Sequence, residues 1–326
     1  GLAAAAASPL LRPRRAGAGA YDPTTASAVL RAGGGTLGGI GYVQMTGLAK
    51  IVGDTYPKVK ITVVPGGWIG NIPRTDKGEL DIGSTTLVMT RLAAQKKGAF
   101  TADYLNVRSM LAVQDANYYV AVARKDFPAA TVGEIVRKKL PARLATLAKG
   151  NATEWIWRTA FEEMGASWED LEKWGGKMNH VDWANAVSLV KDGHADAILA
   201  VATGKIGWLT ELSTSRDLKA LQWDDDLRED IIRKYGFLRG VYPAGSFRGQ
   251  EAAVACPTDS GVFVVRADLE APVVYACVKA LAEHEGKFQA HHDSLKGFKA
   301  SALPKTGGAF PLHAGAADYY RERGWA

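Results

Sequence analysis

The stretch Ala32-Gly33-Gly34-Gly35-Thr36-Leu37-Gly38-Gly39-Ile40-Gly41-Tyr42 decides the fold. Before it, Ala28 to Ala32 reads as a strand; after it, Tyr42 to Val52 carries apolar residues at helical spacing. Strand, glycine turn and helix open an α/β unit. Gly33, Gly35 and Gly38 also satisfy G-x-G-x-x-G, the spacing of a dinucleotide loop. That chemistry needs an acidic residue at the end of the second strand to hold a ribose. Here the second strand, Lys58 to Val64, is closed by Pro65-Gly66-Gly67, and Asp54 falls too early, at the end of the first helix. A nucleotide-dependent, NAD-type enzyme built on Gly33–Gly38 is therefore the alternative reading. The physics of the loop survives: glycines let backbone approach a ligand, and N–H groups opening the next helix favour an anion. The device recurs at Gly66-Gly67-Trp68-Ile69-Gly70-Asn71 and at Lys149-Gly150-Asn151-Ala152-Thr153.

Outward from the loop, short apolar runs alternate with amphipathic stretches. Strands are expected at Leu80 to Gly83, Val107 to Val113, Tyr118 to Ala123, Ala142 to Leu147, Ala195 to Val201 and Leu218 to Gln222. His180 to Trp183 ends another, and Gly261 to Arg266 is a return strand. Helices are expected at Thr131 to Lys138, Glu154 to Met164, Pro272 to His284 and around Asp318 to Arg323. The alternation implies mostly parallel sheets covered on both faces. Lys77-Gly78-Glu79-Leu80-Asp81-Ile82 is echoed by Lys191-Asp192-Gly193-His194-Ala195-Asp196-Ala197-Ile198, each after an Asn-led helix, at Asn71 and Asn185. Two similar lobes, or chance likeness of two αβ turns, would each produce this. The expected architecture is two α/β lobes joined by crossover strands, with ligand in the cleft at the strand carboxyl ends. Residues 28–120 with 268–326 form lobe I and 121–267 form lobe II.

With 326 residues the chain can bury a core without metal or disulfide staples. Its net charge of +6 is interleaved with acids such as Asp224-Asp225-Asp226, so it marks no nucleic-acid stripe. Cys256 and Cys277 read as small buried hydrophobes, with a single disulfide as the other option. No apolar run reaches the roughly 20 residues of a membrane span. Ala16-Gly17-Ala18-Gly19-Ala20 looks like the tail of a cleaved export signal, so residues 1–27 are expected to be a signal remnant or disordered leader. The histidines are scattered, Ser260-Gly261 lacks a nucleophile-elbow frame, and no paired-carboxylate motif is evident. No catalytic residue, metal or cofactor is expected.

From about Ala32 to Glu322 the chain resembles the TAXI-type solute receptors of TRAP transporters. The first glycine loop, Gly33 to Tyr42, is similar to theirs, and Gly66-Gly67-Trp68-Ile69-Gly70-Asn71 resembles their Gly-Gly-Ser-x-x-Asn loop. Gly78-Glu79-Leu80-Asp81, Val274-Tyr275 with Lys279-Ala280-Leu281, and Pro311-Leu312-His313-Ala314-Gly315-Ala316 continue the likeness in order. Trp68 and Asn151 stand where that family has serine, and Ala314 where it has proline. The resemblance implies a type II periplasmic binding fold, export to the periplasm, capture of a small organic anion (a carboxylate or an amino acid), and delivery to TRAP membrane subunits. A monomer is expected. Expected ligand contacts are Gly35, Thr36, Gly38 and Gly39; Trp68, Asn71 and Thr86; and Asn151, Thr153, Trp183 and Thr203. Trp68 and Trp183, placed at strand ends, are expected to narrow the cleft or stack on an apolar or aromatic carboxylate. His313 is expected to be structural, fixing the terminal segment.

Overall fold

A computed structural model describes residues 21–113 and 116–325. Its first half runs β1 (Ala28–Gly33), α1 (Ile40–Thr55), β2 (Val59–Val64), α2 (Asn71–Asp76), β3 (Ile82–Thr86), α3 (Leu87–Ala94) and β4 (Val107–Ala112). Then come β5 (Asn117–Arg124), α4 (Val132–Arg137), β6 (Arg143–Thr146), α5 (Ala152–Glu163), α6 (Trp168–Lys173), β7 (Lys177–His180), α7 (Trp183–Lys191) and β8 (Ala197–Ala202). These are followed by α8 (Gly207–Ser215), β9 (Leu218–Leu221), α9 (Asp225–Tyr235), β10 (Leu238–Tyr242), β11 (Val254–Asp259) and β12 (Gly261–Arg266). Helices α10 (Ala271–Glu283), α11 (Glu285–His291) and α12 (Ala314–Glu322) complete the described chain.

Two sheets result. The first has five strands in the order β2-β1-β3-β12-β4; the second has seven, β10-β11-β5-β8-β6-β7 with β9 also on β5. Both are mixed, correcting the mostly parallel expectation. β1, β2 and β3 pair parallel, as do β6, β7 and β8, because helices connect them. β5 and β12 enter their sheets straight from the other sheet, without a helical crossover, and pair antiparallel with β8 and β3. β4 and β5 are consecutive strands on different sheets, and so are β11 and β12. Tyr21, within the segment expected to be a leader, packs edge-on against Tyr275 at 5.5 Å and donates to Asp318 at 2.9 Å. The remainder of that expected leader, 1–20, lies outside the described residues.

The echo between the halves is structural. Gly78 and Gly193 both take left-handed φ, 74° and 78°, closing α2 and α7. Asp81 then accepts the Arg31 N–H at 2.7 Å, and Asp196 accepts the Arg143 N–H at 2.8 Å, each from the neighbouring parallel strand. Each carboxylate also meets an arginine of the antiparallel strand on its other side, Arg266 at 2.7 Å and Arg124 at 3.2 Å. The pieces β2-β1-β3-β12 and β7-β6-β8-β5 are thus built alike.

Burial explains why these segments hold. One apolar core lies between α1, α10 and α12 and the first sheet, around Met45, Leu48, Phe263, Tyr275 and Tyr320. A second is continuous from Ile72, Val88 and Met89 into Val120, Ile156 and Leu199, so apolar packing joins the two halves. Cys256 in β11 and Cys277 in α10 are both buried and free, which decides against the disulfide, and burial pushes each thiol up to about 12.

Candidate functional site

The cleft is made by the loops at the carboxyl ends of the equivalent strands. Gly34 N–H donates to Val64 O at 2.9 Å and Gly66 N–H to Gly35 O at 3.1 Å, so the loops after β1 and β2 extend the ladder past the sheet edge. Asn71 pins them from below. Fully buried, its amide donates to Gly33 O, Gly34 O and Ser84 O at 3.1, 2.8 and 2.9 Å. The buried Thr85 hydroxyl donates to Trp68 O at 2.7 Å and fixes the second loop. Facing them, Asn151 caps α5 by accepting from Thr153 N–H at 2.9 Å. Its other end donates to Thr36 Oγ1 at 3.2 Å, across the cleft.

Between these loops lies a narrow cavity of about 30 Å³. Gly35, Thr36, Gly39 and Trp68 line it from the first half. Asn151, Thr153 and Trp183 line it from the second. Sequence reading missed Ile40, Gly41 and Gly67 on one side and Leu147, Val201 and Ile206 on the other. Leu147 and Val201 were read only as strand ends, since nothing in apolar spacing separates a cavity wall from packing. Four expected contacts stand elsewhere. Gly38 is exposed on the outer turn of the loop, and Asn71 sits beneath the loops. Thr86 caps α3 by accepting from Met89 N–H, and Thr203 borders a separate recess with Lys205 and Tyr118.

Trp183 does not end a strand: β7 stops at His180, and Trp183 is the first residue of α7, whose cap is Asp182. That cap, accepting from Asn185 N–H at 2.8 Å, also corrects the Asn-led start expected there. The Trp183 indole lies flat on Trp208, with centroids 5.0 Å apart and planes 1° from parallel. Trp68 is 7% exposed and points its indole nitrogen inward: a methyl on Gly41 would meet it at 2.7 Å, so only glycine fits at the start of α1.

Charge is confined to the mouth. No Lys, Arg, His, Asp or Glu occurs among the described residues lining the inner cavity. An outer recess shares Thr36, Gly67, Leu147 and Asn151 with it and adds Arg74, Lys149, His180 and Asp182. Burial holds the His180 pKa below its ordinary 6.5; Lys149 acts the same way, and the Glu154 carboxylate opposes both. Glu154, 1% exposed, is satisfied by Trp168 Nε1 at 3.1 Å and Arg158 Nε at 3.2 Å. Among the described residues no group of three His, Cys, Asp or Glu is placed to hold a metal ion. No helix among them is long and apolar enough to cross a membrane.

The sequence pattern of the NMT1-like family matches residues 32–324. The chain belongs to the NMT1-like family. No curated protein matches this NMT1-like chain. Among solved structures it resembles the periplasmic binding protein BugD, with 16% identity over 91% of this chain and 95% of that one, at a TM-score of 0.52. It is also similar to the alkanesulfonate-binding protein SsuA from Xanthomonas axonopodis pv. citri bound to MOPS (15% identity, 92% and 95% covered, TM-score 0.48). A third is the substrate binding protein of an amino acid ABC transporter (14%, 82% and 99%, 0.48). The NMT1-like chain has the two-sheet α/β fold of the type II periplasmic binding proteins.

Proposed function

We propose that this protein is an extracytoplasmic solute-binding receptor that captures a small organic anion between its two halves and hands it to a membrane transporter. The observation that carries this reading is the cavity itself. Equivalent loops of both sheets wall it, and Asn151 of one half bonds Thr36 of the other across it. Such a site is complete only when the halves are together. Ligand therefore stabilises the closed arrangement by the contacts that the open one lacks. The helix starts at α1 and α5 supply N–H groups and partial positive charge for an anion without a buried cation. The solved neighbours are described as binding proteins, which supports the receptor reading and, with it, export and the absence of catalysis.

The finer assignment, a TAXI-type receptor serving TRAP subunits as a monomer in the periplasm, rests on the motif order quoted above. Thermal shift tests the receptor directly, since a ligand stabilises by about RT ln(1 + [L]/Kd). A rise in melting temperature with organic anions and none with NAD or ATP is expected; a rise with NAD alone would return the glycine loop to an enzyme. Uptake into vesicles carrying TRAP membrane subunits, with and without the protein, tests the partner.

A further inference from the structure

We infer that the ligand is a small dianion whose charged groups lie in the outer recess, drawn between Arg74 of the first half and Lys149 of the second. This rests on the receptor reading and names its ligand class and the place where that ligand sits. Size fixes the place. The inner cavity, at about 30 Å³, has room for about two waters, whereas the recess beside it has about 670 Å³. Sites for small molecules run to roughly 300–1,000 Å³. Thr36, Gly67, Leu147 and Asn151 line both spaces. A ligand held in the recess therefore reaches the inner cavity with no more than a slender apolar end.

Charge fixes the class. Arg74, Lys149 and Asp182 line the recess with formal charge, and burial keeps the fourth titratable group, His180, below its ordinary pKa of 6.5. Asp182 is already engaged: its two oxygens accept from the backbone N–H and the side-chain amide of Asn185, at 2.8 and 3.1 Å, where it caps α7. The two cations are not. Arg74 reaches Pro65 O and the Glu79 carboxylate at 3.5 Å each, longer than the roughly 2.7–2.9 Å of a charge-assisted bond. Lys149 is exposed; its field is felt by Glu169 and His180, and it enters no ion pair among the described residues. Helix α5, 12 residues long, starts at the same wall and adds partial positive charge. Arg74 and Lys149 come from opposite halves, so closure brings like charges into one recess, where they repel. A single negative charge leaves part of that repulsion in place. Two negative charges answer both cations and make closure favourable. The ammonium of an amino acid faces the same two cations, with only the engaged Asp182 to pair it.

Titration calorimetry of the full chain with succinate, glutarate and phosphonoacetate, against butyrate and glutamate, tests this and separates a dicarboxylate from a phosphonate. The best diacid is expected to bind at least about tenfold more tightly than butyrate or glutamate. Raising sodium chloride from about 20 to about 300 mM should weaken it more than it weakens butyrate, because both cations are open to screening. Arg74→Gln and Lys149→Gln are each expected to weaken the best diacid about tenfold and to leave butyrate within about twofold, with the melting temperature of the free protein reporting that the variant is folded. Butyrate or glutamate binding as tightly as the best diacid overturns the inference and leaves the receptor standing. Unchanged diacid affinity in both folded variants overturns the placement between Arg74 and Lys149. If no diacid binds, the inference falls, and the receptor reading falls with it only when the thermal-shift screen of organic anions is silent too.

Discussion

Asn71 shows how one side chain positions a site without touching its cavity. Its amide gathers the carbonyls of Gly33, Gly34 and Ser84, so the loops after β1 and β2 and the strand carrying Ser84 share one clamp. Asn71→Ala strands three carbonyls where water is excluded, and is expected to cost about 2–4 kcal/mol in urea unfolding. Affinity should fall as well, because the loops lose their common anchor. His313 gives a pH-dependent counterpart. Its Nδ1 accepts the Gly315 N–H at 3.2 Å and so caps α12, and burial foremost holds its pKa below 6.5. His180 and His292 are lowered by burial too. A base with a depressed folded pKa binds fewer protons folded than unfolded between that pKa and 6.5. Stability is therefore fully present above about pH 6.5 and is lost as pH falls through that interval. Melting temperature measured from pH 7.5 down to 5 should drop, and His313→Asn should flatten the slope while keeping a capping side chain.

At the scale of the element, the turns closing α2 and α7 were the most legible part of the chain. A Gly followed three residues later by Asp, each time after a Lys, announces a left-handed residue and then a strand, and the structure puts Gly78 and Gly193 at φ 74° and 78°. Nothing lies within 4 Å of a methyl built on Gly193, so Gly193→Ala tests the backbone alone. The expected loss is about 1–2 kcal/mol by chemical denaturation, with ligand binding intact. Asp196, three residues on, is the sturdier part of the joint. Burial alone would raise its pKa, but the hydrogen bonds and charge of Arg143, with Arg124, hold it below 3.8. Other elements left little trace in the sequence. β11 carries Pro257 in its middle, and proline reads as punctuation; β10 is a largely exposed edge strand with one buried residue. Trp183 was noticed as an aromatic at a cleft edge, but its helix start was hidden because Asp182 caps from what read as strand.

Across the whole molecule, the two halves meet through more than the cavity. Arg91 of α3 donates to Gly236 O, just past the end of α9, at 2.7 Å. A guanidinium at a helix carboxyl end is favourable on both hydrogen-bond and dipole grounds. Arg91→Ala removes this tie without altering the cavity wall and should lower ligand affinity on the order of fivefold by favouring the open arrangement. Small-angle scattering of the unliganded variant should report a larger radius of gyration than the parent. The sequence disclosed that there were two lobes, because glycine turns and strand entries are written locally. It did not disclose their contact, since Arg91 and Gly236 lie 145 positions apart. The position of β12 bears on the birth of the protein. Residues 117–259 contain every strand of the second sheet in one unbroken run, whereas β12, the last strand made, sits between β3 and β4 in the first. As the chain emerges from its N-terminal end, the second sheet has all its strands once Asp259 is out. The first, begun earlier, waits as β2-β1-β3 and a separate β4 with the edges of β3 and β4 unpaired, and it is this interval that a chaperone would have to cover.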